Sequence, residues 1–345
     1  MKVHIGIGGY SRDNIDNVVE FVQAAERLGV DGVWSAEAWG NDAVTSLAFL
    51  AGQTRHIHLG TGIMQISARV PAMTAMTAMS LATLSRGRFR LGLGASGPQV
   101  VEGLHGASYA APLTRLRETL EICRMAFAGE KLAYDGRQHV LPRPGGEGKA
   151  IRLDQPPADI PIYLATLAPR ALEYTGAAAD GWLGTSFSPE HSEAHFEYLR
   201  RGAESAGRTL ADIDICAAVS VAIGENVEEL IASRKAGVAF NMGGMGSAQT
   251  NFYNDAFQRA GYADDALAVQ ALWLEGKREA AAQRVPDAMV TEFQAVGTRE
   301  MVRERLAKYR DAGVSSLNVR LDAAKTREDR MALLENCVDL VNDLT

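Results

Sequence analysis

Short apolar runs alternate along the chain with longer stretches whose apolar positions recur every three to four residues. The first pattern predicts buried strands and the second amphipathic helices. Strands are expected at 3–8, 31–36, 57–66, 88–94, 161–166, 180–185, 213–222 and 315–320. Helices are expected at 14–28, 42–54, 71–85, 115–128, 169–178, 189–206, 226–240, 298–312 and 325–343. The segment Ala24-Ala25-Glu26-Arg27-Leu28-Gly29-Val30-Asp31-Gly32-Val33-Trp34 shows the unit: a helix, a glycine stop, then an apolar strand. Strands separated by helices pair in parallel, and eight such units predict an α/β fold of the (β/α)8 TIM-barrel class.

Two stretches exceed a minimal barrel. Residues 130–160 are rich in Gly and Pro, and 241–297 begin Gly-rich and turn helical. Both are expected as insertions on one barrel domain spanning 1–345, the second covering a substrate.

Composition adds exclusions. Hydrophobic residues make up 47% and charged residues 22% of the chain, as in a well-cored globular protein. With 35 Lys and Arg against 42 Asp and Glu, the net charge of −7 disfavours a nucleic-acid or anionic-membrane partner. No run reaches the roughly 18 apolar residues of a membrane span, and the N-terminus Met1-Lys2-Val3-His4-Ile5 lacks a signal-peptide pattern. The three cysteines, Cys123, Cys216 and Cys337, form no CxxC pair and are expected as reduced core residues. A cytoplasmic protein is the expectation.

Among motifs, Gly92-Leu93-Gly94-Ala95-Ser96-Gly97 formally satisfies GxGxxG after an apolar strand. A dinucleotide fold needs a helix at once and a second strand ending in an acid about 20 residues on, and Pro98 to Gly106 offers neither. The glycines instead suit close approach of backbone to a phosphate-bearing cofactor. Gly60 and Gly62, inside the third strand, suggest a bulge or a ligand contact, or simply relief of crowding. Glu37 ends the second strand, where a barrel places catalytic groups, and is expected as a general acid or base. Asp42 or Asn41 suits the cap of the next helix. His191 and His195 sit four apart on an expected solvated helix, His56 and His58 lack a third ligand, and no metal is assigned. Met73, Met76 and Met79 are expected as barrel-facing packing. No GxSxG elbow or Cys–His pairing supports a nucleophile.

Taken together, Ala24 to Trp39, Leu59 to Ile63, Ser85 to Gly94 and Asp180-Gly181-Trp182 resemble the bacterial luciferase-like flavin and deazaflavin oxidoreductases, over essentially the whole chain. Ala95 to Gly103 and the stretch Gly243 to Ser247 through Tyr253 resemble the coenzyme F420-dependent branch related to methylenetetrahydromethanopterin reductase. The resemblance implies a cis peptide bond at Gly62-Ile63 in a bulge behind the deazaflavin ring. It implies cofactor contacts from Gly62, Ile63, Met64, Gly94, Ala95, Ser96, Gly97, Ala165, Thr166 and Leu167. It further implies hydride transfer between F420 and a small organic substrate, with an FMN-dependent monooxygenase as the alternative, and a homodimer. Some relatives follow the acid at the Glu37 position with a catalytic histidine. Ala38 stands there in this chain, which disfavours their sugar-phosphate dehydrogenase activity and suits a reductase.

Overall fold

The structure, a computed structural model, describes residues 1–247 and 249–344. Ala248, within the expected 241–297 insertion, and Thr345, the last residue of the expected domain, lie outside the described residues. In chain order the strands are β1 (Lys2–Gly6), β2 (Gly32–Ser35), β3 (His58–Thr61), β4 (Met64–Gln65), β5 (Phe89–Gly94), β6 (Tyr134–Asp135), β7 (Val140–Leu141), β8 (Ile162–Leu164), β9 (Gly181–Gly184), β10 (Asp214–Ile223), β11 (Ala295–Gly297) and β12 (Ser316–Arg320). Helices occupy each expected interval, including Ala43–Gln53, Pro71–Leu84, Pro112–Phe127 and Arg327–Asn342. The eight expected strands are present, with β6, β7 and β11 in addition and with the third one split into β3 and β4. Asp42 caps its helix, its side chain accepting from the Thr45 N–H at 2.8 Å.

The chain divides into two compact units. One comprises residues 7–26 and 32–165. Its strands lie in the order β2-β3-β5-β8, all parallel, with β4 resuming the pairing with β5 after β3 stops. Trp34, Leu59, Leu91, Leu93, Ile162 and Leu164 fill its core, the Trp34 ring meeting Tyr163 edge-on at 5.3 Å. The expected 130–160 insertion contains the antiparallel hairpin β6–β7. Buried Glu118 fixes that hairpin by accepting from the backbone N–H groups of Arg137, Gln138 and His139.

The other unit holds residues 1–6, 27–31 and the chain from Thr166 onward. Strand β12 lies between β1 and β10, in parallel with both. Ten-residue β10 is long enough to take β9 along its first half and β11 along its last three residues. The 241–297 segment is helical, and its buried Met242, Phe257, Val269, Met289 and Phe293 share one cluster with Ala222 of β10 and with Val238 and Ala239.

Two expectations are corrected. Helix Pro71–Leu84 buries Met79 at 2% exposure but leaves Met73 and Met76 at 48% and 42%, because a repeat of three walks around a 3.6-residue turn. The pair His191 and His195 is not a solvated face. His191 lies in a short 3-10 turn and meets Glu292 at 2.9 Å, while His195 is 1% exposed among Trp182, Phe187 and Phe196. All three cysteines are buried and none is in a disulfide. Among the described residues no helix is long and apolar enough to cross a membrane.

Candidate active site

The site begins where β3 ends. Pairing with β5 has Leu59 opposite Phe89, an offset of 30, and resumes with Met64 opposite Leu93, an offset of 29. One extra residue is therefore inserted between Thr61 and Met64, which is a β-bulge. The Gly62-Ile63 peptide within it is cis, as the resemblance implies. Its backbone is held from the β2 side: the Gly62 N–H donates to Ser35 O at 2.7 Å, and the Glu37 N–H donates to Ile63 O at 3.1 Å. Opposite the bulge Gly92 would lose its ladder partners. The buried Thr61 hydroxyl replaces them, donating to Gly92 O at 2.8 Å and accepting from its N–H at 2.9 Å.

The strand glycines make room for side chains. A Cβ on Gly60 would lie 2.3 Å from the Trp34 ring, and one on Gly94 would lie 2.9 Å from Ile63 Cγ1. For Gly60 the crowding explanation holds, and a Cβ on Gly62 would also be tight, 3.2 Å from Trp34 Cβ.

Glu37 follows β2 as expected. Its Oε1 accepts from Arg69 at 2.8 Å and from the Ala43 N–H at 3.3 Å; its Oε2 accepts from Arg69 at 2.8 Å and from the Gln65 N–H at 3.0 Å. The carboxylate thus receives four donors, two of them from one guanidinium fork. Sequence reasoning missed Arg69 and Thr61 as partners of this region.

Gly62 and Ile63 are half-buried between fully buried Thr61 and Met64, and Ala95, Ser96 and Gly97 are half-buried after fully buried Gly94. Ser96 has φ of +59°, and its carbonyl accepts from the Tyr109 hydroxyl at 3.2 Å. Beside the bulge, Ser67, Arg69, Arg115, Gln138 and His139 line a cavity of about 310 Å³. Ala165 extends the same sheet, its N–H donating to Leu93 O at 3.0 Å.

Thr166 and Leu167 belong to the other unit. The Thr166 hydroxyl meets Thr175 Oγ1 at 2.7 Å, and its carbonyl accepts from the Trp182 indole N–H at 3.0 Å. The Leu167 carbonyl accepts from Arg259 at 2.7 Å.

The residues at the bulge fit a planar redox ring. Gly62 and Ile63 are half-exposed there, the run Ala95–Gly97 has little side-chain bulk, and the buried side-chain amide of Gln65 after the bulge has both heteroatoms unpartnered. Among the described residues no cluster of His, Cys, Asp and Glu could hold a metal.

Comparison with known proteins gives the wider setting. A coenzyme F420-dependent oxidoreductase named from Mycobacterium tuberculosis is 38% identical, covering 97% of this chain and 99% of that protein. The 5,10-methylenetetrahydromethanopterin reductase of Methanolobus tindarius is 29% identical over 90% of this chain and 92% of its own length. The solved coenzyme F420-dependent tetrahydromethanopterin reductase of Methanopyrus kandleri superposes with a TM-score of 0.78 at 22% identity, covering 97% of this chain and 96% of that one. Its likeness shows the fold, a (β/α)8 barrel of the luciferase-like type. The sequence profile described as luciferase-like monooxygenase matches residues 2–316. A bulged third strand, glycines cut to fit Trp34 and Ile63, and this match over most of the chain agree: the protein belongs to the luciferase-like monooxygenase family.

Proposed function

We propose that the protein is a cytoplasmic F420-dependent oxidoreductase acting on a small organic substrate. The observation that carries this reading is the half-exposed bulge at Gly62–Ile63 beside the small-residue run Ala95–Gly97, in a chain whose full-length relative is named for F420. When bound, F420 supplies a two-electron hydride from or to its C5 carbon, chemistry that the protein need not provide itself.

The chain's own residues bind and orient. Gly62, Ile63 and Met64 back the ring, and Gly94, Ala95, Ser96 and Gly97 receive the cofactor with little side-chain bulk. Ala165, on the same sheet, joins this set on the family resemblance. The 241–297 insertion sets the substrate class. The FMN-dependent monooxygenase is the weaker reading, because the relative that is 38% identical over 97% of this chain is named for F420. A homodimer accompanies the proposal, supported by exposed Phe49, Met73 and Met76 on two helices that pack together.

The test is titration of the purified chain with F420 and, separately, with FMN, followed by intrinsic protein fluorescence. The expected result is saturable F420 binding at least tenfold tighter than FMN, a difference of about 1.4 kcal/mol. Tighter FMN binding together with oxygen uptake in the presence of reduced flavin would replace this reading with the monooxygenase.

A further inference from the structure

We propose that Glu37 and Arg69 form a positioning pair that fixes the bulge as a seat for the cofactor ring, and that Glu37 is not the proton donor. The inference rests on the F420 reading for the identity of the ring, and on geometry alone for the clamp.

Glu37 grips the bulge at two points. Its backbone N–H reaches Ile63 O at 3.1 Å and its carboxylate takes the Gln65 N–H at 3.0 Å, so the bulge residue Ile63 and the strand restart after it are held by one residue. The same carboxylate takes the Ala43 N–H at 3.3 Å, the first residue of helix Ala43–Gln53. The bulge is thereby tied to the end of β2 and to the start of the next helix.

Arg69 sets the orientation of that carboxylate. Its two terminal nitrogens meet the two oxygens at 2.8 Å each, a planar fork on a planar acceptor. The side chains are 11% and 20% exposed, so water competes little for either partner.

A proton donor must carry a proton on one oxygen. Here each oxygen already accepts two hydrogen bonds, one of them from a cation, and protonation would turn one acceptor toward a donor that cannot receive it. Gln65 shows why the backbone bond matters. Its side-chain amide is buried and finds no partner, so the residue is held by its main chain.

The experiment uses the full chain and the variants Glu37→Gln, Arg69→Met, Arg69→Lys and the Glu37→Gln/Arg69→Met double. Three quantities are measured: F420 affinity by fluorescence, amide hydrogen exchange over residues 35–66, and melting temperature. If the pair acts as one unit, Glu37→Gln and Arg69→Met each weaken F420 binding by about tenfold and the double variant is no worse than either. The Glu37 and Gln65 amides exchange faster in each, with Arg69→Lys intermediate because it keeps the charge and loses the fork. Arg69→Lys also serves should Arg69→Met fail to fold. Wild-type affinity and wild-type exchange in Glu37→Gln would overturn the pair and return Glu37 to the role of acid. Multiplying effects in the double variant would overturn the coupling. Failure of the wild-type chain to bind F420 would overturn the cofactor reading, while the exchange data still decide the clamp.

Discussion

Thr61 makes two bonds that a regular ladder would make from the main chain, and it is fully buried. Valine has nearly the same shape and no hydroxyl, so Thr61→Val would leave the Gly92 N–H and C=O unpaired inside the sheet. The expected loss is about 2 kcal/mol of stability, read as a lower urea midpoint with an unchanged slope. A midpoint equal to wild type would mean that water or a backbone shift satisfies Gly92. At this scale the sequence was only partly legible. Glu37 stood out because it ends a barrel strand, but Arg69, 32 residues away, carries no local sign of the pairing. The glycines of the third strand read equally well as ligand contacts or as packing until the Trp34 ring was seen 2.3 Å from the place where a Cβ on Gly60 would sit.

Elements were easier to read than their irregularities. Strands of a βα chain are buried on both faces and so appear as continuous apolar runs, which is why all eight were found. The same continuity hid the bulge: Ile57 to Ile66 is almost wholly apolar or small, so nothing marks where β3 stops and β4 begins. Three-residue β11 escaped because it is too short to show a period inside a helical insertion. Helix Pro71–Leu84 erred in phase. At 3.6 residues per turn each step of three falls short of a full turn by about 60°, and the stripe leaves the core. Met73 and Met76 then support the proposed dimer. The double variant Met73→Glu/Met76→Glu is expected to fold normally and to halve the mass measured by light scattering. A dimer that survives both charges would place the contact elsewhere.

For the molecule as a whole, buried His195 and the ion-paired Glu190 both shape the response to acid. Burial, with Arg259 adding a nearby positive charge, pushes His195 from 6.5 down to about 3, and neither ring nitrogen has a hydrogen-bond partner. The unfolded chain takes up this proton near pH 6.5 and the folded one does so only near pH 3, so stability falls as pH drops between those values. Burial alone would raise Glu190, yet hydrogen bonds from Arg305 and Lys308 overcome it and hold the carboxyl at about 2. Its contribution is present above pH 4.5 and fades toward pH 2, the same direction as for His195. The urea midpoint is expected to fall between pH 7 and pH 5, and His195→Leu is expected to flatten that fall, since carboxylates have scarcely begun to titrate there. An unchanged slope against pH in the variant would assign the loss to other groups. His195 could not have been placed from sequence, because its helix mixes Ala194, Phe196 and Leu199 with charged residues and its cage comes from Trp182 and Phe187 on other segments.

The hydrogen bonds of Gly62 and Ile63 have a mechanical consequence. Both run to the tail of β2, through Ser35 and Glu37, and that tail leads at once to Trp39, whose indole is 68% exposed. The platform is therefore anchored to the strand beside it as well as to its own, and the short stretch from Ala36 to Asp42 joins that anchor to the outlying indole.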